Sequence, residues 1–448
     1  MAPSLSSLFI AMLPLVSGLP DLSPATVKIT NDDSPNKMEN SWLLVWKNAL
    51  ADDAIKARRD DFAATLRKRN LGKRDVNGNT IPREAIHYDI GSLRMTVCNA
   101  DAKTMNLMVS NAIDAVDYVE ANEWIDMFRT ENETEAPPAV NATAVADGAE
   151  ASPGEDGEGT VVYIVDTGIN VNHVAFEDRA TMIANLVRGE SEQDLNGHGT
   201  HCAGSAAGKE IGVATKALIR GVKVLNAKGS GGGDSIIGGF RAACNDVKKN
   251  GFEGKCVVSM SLGTGRSNAI NNAAKQMGQC GCAIVVAAGN DGKDASTVSP
   301  ASSDDVITVG ATDARTNQLA AFSNTGPLVD ISTNGVNVIS ADANDITGTK
   351  ELTGTSMSAP QIAGIALVAL NDVDLDCTID CTDRMRDFLQ KKAQQEKPIA
   401  ISSGDSDTTP LQIDATDKAP TDPDGPTPIS KKGQQGKQGK KQTGQKGR

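Results

Sequence analysis

The sequence predicts an α/β protein, a mostly parallel central sheet with helices on both faces, preceded by a small α+β domain. Three observations carry this reading. From Gly159 onward, apolar runs rich in β-branched residues recur: VVYIVD (161–166), LIRGVKVLN (218–226), CVVSMSLG (256–263), AIVVAAGN (283–290) and VITVGATD (306–313). Each has the length of a strand buried on both faces. Stretches of helical composition, such as SIIGGFRAACNDVKK and NAINNAAKQMG, lie between them. Finally, 39% apolar but only 3% aromatic residues mean a core built from Val, Ile, Leu and Ala.

In chain order, 448 residues allow more than one folded unit. Residues 4–18, SLSSLFIAMLPLVSG, are apolar, too short for a bilayer, and end in small residues, so 1–19 reads as a signal peptide although its start lacks Lys or Arg. Within 20–129, SWLLVWKNALADDAIKARRDDFAATLRKR begins as a strand and continues as a charged helix, and RMTVCNADAKTMNLMVSNAIDAVDYVEANEWIDMF reads strand, helix, strand. That is the small α+β domain, starting at about residue 40. Residues 130–158 are acidic, rich in Ala and Pro and without apolar period, hence a linker. It holds two glycosylation sequons, at Asn132 and Asn141. Residues 417–448, rich in Gly, Gln, Lys and Pro, read as a disordered basic tail. The net charge of −13 excludes a nucleic-acid binder as a whole, and no stretch has the uninterrupted apolar length of a membrane helix. Eight cysteines in a chain with a secretory leader point to disulfides, whose pairing sequence does not determine.

Chemistry in a doubly covered parallel sheet sits at the carboxyl ends of its strands, which singles out Asp166, the Ser261-Leu262-Gly263 turn and Asn290. Two further motifs complete a set. Gly-His-Gly-Thr-His (197–201) places His198 between glycines, and Gly354-Thr-Ser-Met leads into SAPQIAGIALVAL, a buried helix. Pro360 fits the first turn of that helix, so its start is expected near Ser356, beside N–H groups without partners. A serine hydroxyl is a weak nucleophile that needs an imidazole to take its proton. The imidazole in turn needs a carboxylate to orient it. Asp166, His198 and Ser356 meet these needs, with Asn290 as an amide donor to an oxyanion. Each alone has another reading: Ser356 as an N-cap, Asp166 as a turn or half of an aspartic protease site, His198 as a packed core histidine, Asn290 as a turn residue. An Asp-Thr-Gly occurs once, against the two that an aspartic protease needs, and His201 reads as a core residue.

Over 159–416 the strings VVYIVDTGINVNHVAFEDRA, NGHGTHCAGSAAG, RGVKVLNAKGSGGG, VVSMSLGTG, VVAAGN, VSPAS, AAFSNTG and GTSMSAPQIAG occur in the order of the subtilisin-like serine proteases, and the chain resembles their proteinase K-like branch. The resemblance implies a secreted, extracellular, monomeric serine endopeptidase acting on polypeptides, without a cofactor for catalysis. Asp166, His198 and Ser356 would be its triad, and Asn290 with the Ser356 N–H its oxyanion hole. Gly229-Ser230-Gly231 and Ser261-Leu262-Gly263 would clamp an extended substrate, and Ala287-Ala288-Gly289 would line a primary pocket with room for an apolar or aromatic residue. The first domain looks like the family's propeptide, an intramolecular inhibitor. Ser299-Pro300 falls where the family has a cis proline, and Cys202 where this branch has a buried free thiol. Asp330 and the carbonyls of Asp304 and Val306 fall where such enzymes hold a structural calcium ion. Ala359 and Gln361 depart from the family's Ser-Met-Ala-Thr-Pro-His motif, which leaves a non-catalytic binding scaffold as the alternative.

Overall fold

The computed structural model describes residues 27–128, 156–372 and 380–395, with a few positions between 372 and 380. The leader (1–19), the sequons Asn132 and Asn141, most of the linker and the basic tail lie outside the described residues.

The N-terminal unit runs β1 (Lys28–Thr30), β2 (Lys37–Trp46), α1 (Asp52–Arg69), β3 (Ile86–Ile90), β4 (Leu93–Asn99), α2 (Ala102–Asn111) and β5 (Val116–Met127). Its sheet is antiparallel in the order β5-β2-β4-β3, with β1 parallel to the far edge of β5. Strand β2 alternates as a strand must when both its faces are covered. Trp42, Leu44 and Trp46 pack on α1 and α2 with Phe62, Leu66 and Met105. Leu43 and Val45 face the other way, into a cluster shared with the second unit.

The second unit contributes β6 (Val161–Asp166), β7 (Ala180–Asn185), α3 (His198–Ala207), β8 (Leu218–Lys223), β9 (Ser230–Gly232), α4 (Gly233–Asn250), β10 (Cys256–Met260), β11 (Leu262–Gly265), α5 (Asn268–Gly278), β12 (Cys282–Ala287), β13 (Val298–Ser299), β14 (Ile307–Asp313), β15 (Gln318–Leu319), β16 (Ile331–Asn334), β17 (Val338–Ala341), β18 (Thr349–Leu352), α6 (Thr355–Asp372) and α7 (Cys381–Gln395). Its sheet has the order β15-β14-β12-β10-β6-β8-β7, with β16 also on β14; every pairing is parallel except β14 with β15. The strand residues alternate between two cores. Val161, Tyr163 and Val165 meet α4 and α5, whereas Val162 and Ile164 meet α3, α6 and α7.

The run 256–263 divides at Ser261 into β10, inside the parallel sheet, and β11, which leaves it to pair with β5 and β13. Disulfides join Cys244 to Cys280, Cys256 to Cys282 and Cys377 to Cys381, while Cys98 and Cys202 are buried free thiols. The Ser299-Pro300 peptide is cis.

Helix α6 starts at Thr355, which places Pro360 beyond the first turn. Pro360 has no N–H for the carbonyl four residues back, that of Ser356. Two side chains from other elements replace it: Ser261 Oγ donates to Ser356 O at 2.9 Å, and Cys202 Sγ at 3.5 Å. The expected helix start was therefore nearly right, but the restriction of Pro360 to the first turn was too strict, because the helix is completed from outside.

Candidate active site

Asp166 ends β6, His198 opens α3 and Ser356 lies in the first turn of α6, so three chain regions meet where the parallel strands end. Gly197, with φ 99°, lets the chain turn sharply into α3 at His198. Asp194 steadies that turn. Its carboxylate accepts from Gly197 N and Thr200 N, and from the hydroxyls of Thr167 and Thr200. Lys223, fully buried at the end of β8, donates from Nζ to Thr167 O (2.7 Å) and Leu225 O (2.9 Å) and pairs with Glu190 (3.3 Å). It thereby ties the turn after Asp166 to the segment that leads into β9.

His198 Nδ1 donates to Asp166 Oδ1 at 2.8 Å, and the same oxygen accepts from Thr167 N. Both side chains are buried. Burial alone pulls the imidazole pKa down, but the Asp166 carboxylate and the neighbouring Cys202 together outweigh it and hold the value well above the ordinary one. Cys202 beside the ring has its thiol pushed up by burial. Asp166, His198 and Cys202 are the one cluster among the described residues whose ligand atoms lie close enough together to suggest a metal. Its imidazole–carboxylate pair is hydrogen-bonded, which already accounts for it. His201, three residues on, is wholly buried, and its Nε2 lies 3.0 Å from both Val338 O and Lys350 O.

His198 Nε2 is buried without a hydrogen-bond partner. Ser356 Oγ instead donates to two carbonyls, Ser261 O (3.2 Å) and Phe128 O (3.3 Å). The second belongs to the residue just after β5. Asn290 Oδ1 is held by Thr355 N (2.9 Å) and Thr355 Oγ1 (2.8 Å), which leaves Nδ2 buried and unpartnered. Gly354, φ 153°, allows the close approach. A Cβ there would stand 2.9 Å from Asn290 Nδ2 and 3.7 Å from Phe128 O.

The other residues singled out from sequence gather around the same segment. Trp124, Ile125 and Asp126 of β5 pair antiparallel with Gly232, Gly231 and Ser230 of β9, and Met127 N donates to Gly229 O at 2.9 Å. On its opposite edge, Met127 and Asp126 pair with Leu262 and Gly263 of β11. The Phe128 ring lies against Gly263 and Gly289, where a Cβ on Gly263 would collide with it. Ala287 and Ala288 lie buried in the clusters on which Phe128 packs. The two segments thus hold an extended strand between them, and the small residues beyond hold its terminal aromatic ring.

Thr355, Asp194, Lys223 and Phe128 were not among the residues found from sequence. Asp194 carried a legible signal, an acidic residue just ahead of a helix start; the others become visible only through their partners. Gln361 donates to Asn334 O and Met357 O, and so makes the contacts of a helix-surface amide behind the site. Asp330, Asp304 and Val306 do come together, but around a guanidinium. Arg386 Nε lies 3.0 Å from Asp330 Oδ1, and its Nη2 donates to the carbonyls of Asp304 and Val306, both at 2.7 Å.

A carboxylate-oriented imidazole, a serine at a helix start and an unpartnered buried amide donor are the parts that a serine hydrolase uses. The subtilase family model matches residues 157–422. Subtilisin-like protease 3 of Pseudogymnoascus destructans is 35% identical over 371 residues, covering 81% of this chain and 87% of that one. Alkaline protease 1 of Aspergillus clavatus is 34% identical over 80% of this chain and 86% of its own. The crystal structure of a cold adapted subtilisin-like serine proteinase matches with TM-score 0.52 at 33% identity, over 59% of this chain and 91% of that one. The chain belongs to the subtilase family, and it is a subtilisin-like serine endopeptidase with that family's fold. No helix among the described residues is long and apolar enough to cross a membrane.

Proposed function

We propose that this protein is a secreted, self-activating zymogen. In this reading its N-terminal unit is a propeptide that occupies the substrate cleft and is cut after Phe128. The observation that carries it is the position of Phe128. Its carbonyl is 3.3 Å from Ser356 Oγ, its ring sits against Gly263 and Gly289, and the strand before it is paired on both edges. Main-chain pairing reads a polypeptide without reading its sequence, so the pocket beyond sets selectivity. A phenylalanine seated there supports aromatic and large apolar residues before the scissile bond. Three disulfides support an oxidising compartment, consistent with a secretory leader.

The chemistry follows from the residues. Ser356 Oγ turns from the two carbonyls toward His198 Nε2, gives up its proton there and bonds to the carbonyl carbon. Asp166 keeps Nε2 as the accepting nitrogen and stabilises the imidazolium. The negative charge that develops on the carbonyl oxygen meets Asn290 Nδ2 and the Ser356 N–H. His198 then protonates the departing amine, and water, deprotonated by the same nitrogen, releases the acyl group.

The test has two readouts. Matured protein should react with a fluorophosphonate, and Ser356→Ala should abolish labelling. The N-terminal fragment released by the wild type should end at Phe128, while the Ser356→Ala chain stays intact. Labelling that survives in Ser356→Ala, or none in the wild type after removal of the N-terminal unit, rejects the assignment of Ser356. A fragment ending elsewhere rejects Phe128 as the cleavage point.

A further inference from the structure

The oxygens expected to bind calcium are already satisfied by a side chain. The Arg386 guanidinium enters their midst from α7 with its side chain only 17% exposed. Its Nη2 lies 2.7 Å from both the Asp304 and Val306 carbonyls. Nε faces Asp330 Oδ1, and Nη1 donates to Asp383 Oδ1 at 2.5 Å. The remaining oxygen of Asp330, Oδ2, accepts from Thr308 N at 2.8 Å. A calcium ion needs six to eight oxygens at roughly 2.3–2.6 Å. Here one nitrogen stands where an ion shared by both carbonyls would have to sit, and both carboxylate oxygens are taken. The residues present therefore do not fit calcium.

We propose that Arg386 is a built-in cation at this site, so that the loop before β14 and the start of β16 are closed by a guanidinium on α7 and need no calcium there. A guanidinium suits the place because its planar N–H groups reach two carboxylates and two carbonyls at once while its charge stays fixed. Tethering also changes the dependence. The cation arrives only when α7 docks, whatever the surrounding ion concentration, and the Cys377–Cys381 disulfide lies at the base of that helix.

The experiment counts calcium bound per full-length chain by equilibrium dialysis, in a Ser356→Ala background to prevent self-digestion, alongside thermal unfolding in calcium and in chelator. Arg386→Ala uncovers two carboxylates, those of Asp330 and Asp383, and two carbonyls, so it should lower Tm by about 10 °C in chelator. It should also bind one more calcium than its parent, with millimolar calcium restoring about 5 °C. The extra ion should vanish in Arg386→Ala/Asp330→Asn. Asp330→Asn alone should leave the calcium count unchanged, a measurement that holds even if Arg386→Ala fails to fold. Arg386→Lys, which keeps a cation, should bind no extra calcium. The proposal is overturned if Asp330→Asn alone removes a bound calcium, since the ion would then occupy the site despite Arg386. It is equally overturned if folded Arg386→Ala gains neither the extra ion nor the calcium-dependent Tm.

Discussion

Ser261→Ala should destabilise the protein through a carbonyl 95 residues away. Pro360 leaves Ser356 O without its helical donor, and Ser261 Oγ at 2.9 Å is the stronger of its two replacements. The other, Cys202 Sγ at 3.5 Å, is a weak donor. Losing a hydroxyl partner to a buried carbonyl costs about 1–3 kcal/mol. With the thiol remaining, the lower half of that range is expected, which lowers Tm by about 3–6 °C for a domain of this size. The decisive arm is Pro360→Ala. It gives residue 360 an N–H that can donate to Ser356 O, so in that background the cost of Ser261→Ala should shrink to about 0.5 kcal/mol or less. The coupling of about 1 kcal/mol is readable from a double-mutant cycle by thermal or denaturant unfolding in Ser356→Ala chains. If Ser261→Ala costs the same with and without Pro360, the hydroxyl does not substitute for the missing helical bond.

Three further outcomes follow from the same geometry. Phe128→Gly removes the partly buried ring packed at Gly263 and Gly289, worth about 1–2 kcal/mol of apolar burial, so self-cleavage should slow by about 5- to 30-fold when followed by electrophoresis. Glu120 of β5 accepts from Asn268 N (2.9 Å), Ala269 N (3.2 Å) and Ser267 Oγ (2.7 Å), which caps α5 across the two units; Glu120→Ala should loosen the cleaved N-terminal unit by about 2 kcal/mol, seen as an earlier onset of activity after cleavage. Burial, followed by the charge of His198, lowers the His201 pKa from 6.5 to about 4. The folded state thus holds His201 neutral where the unfolded chain would protonate it. The stability present above pH 6.5 should be lost as pH falls toward 4, by about 3 kcal/mol in all, and Tm of His201→Gln should depend much less on pH over that window.

Much of the site was legible because its motifs are short and carry their own geometry. Gly-His-Gly-Thr-His and Gly-Thr-Ser-Met each combine a reactive side chain with the backbone freedom to present it, and the second sits where the sequence alone marks a helix start. The apolar runs from 161 to 313 marked the buried strands for the same local reason, since covering both faces leaves no polar alternation to interrupt them. The division of CVVSMSLG at Ser261 was not legible, because a second sheet draws β11 away and nothing within the run records that competitor.

What the sequence determined by itself is the class of chemistry, the order of Asp166, His198 and Ser356, and the parallel sheet that seats them, because residue type and local spacing suffice for these. Only the tertiary structure decided what fills each site. Phe128 reaches Ser356 Oγ because β5 runs between β9 and β11. Ser261 completes a helix broken by Pro360, and Arg386 stands among the oxygens for which the family resemblance implied calcium. In each case the deciding partner is tens to hundreds of residues away. Its identity is set by how elements pack, which no local pattern encodes.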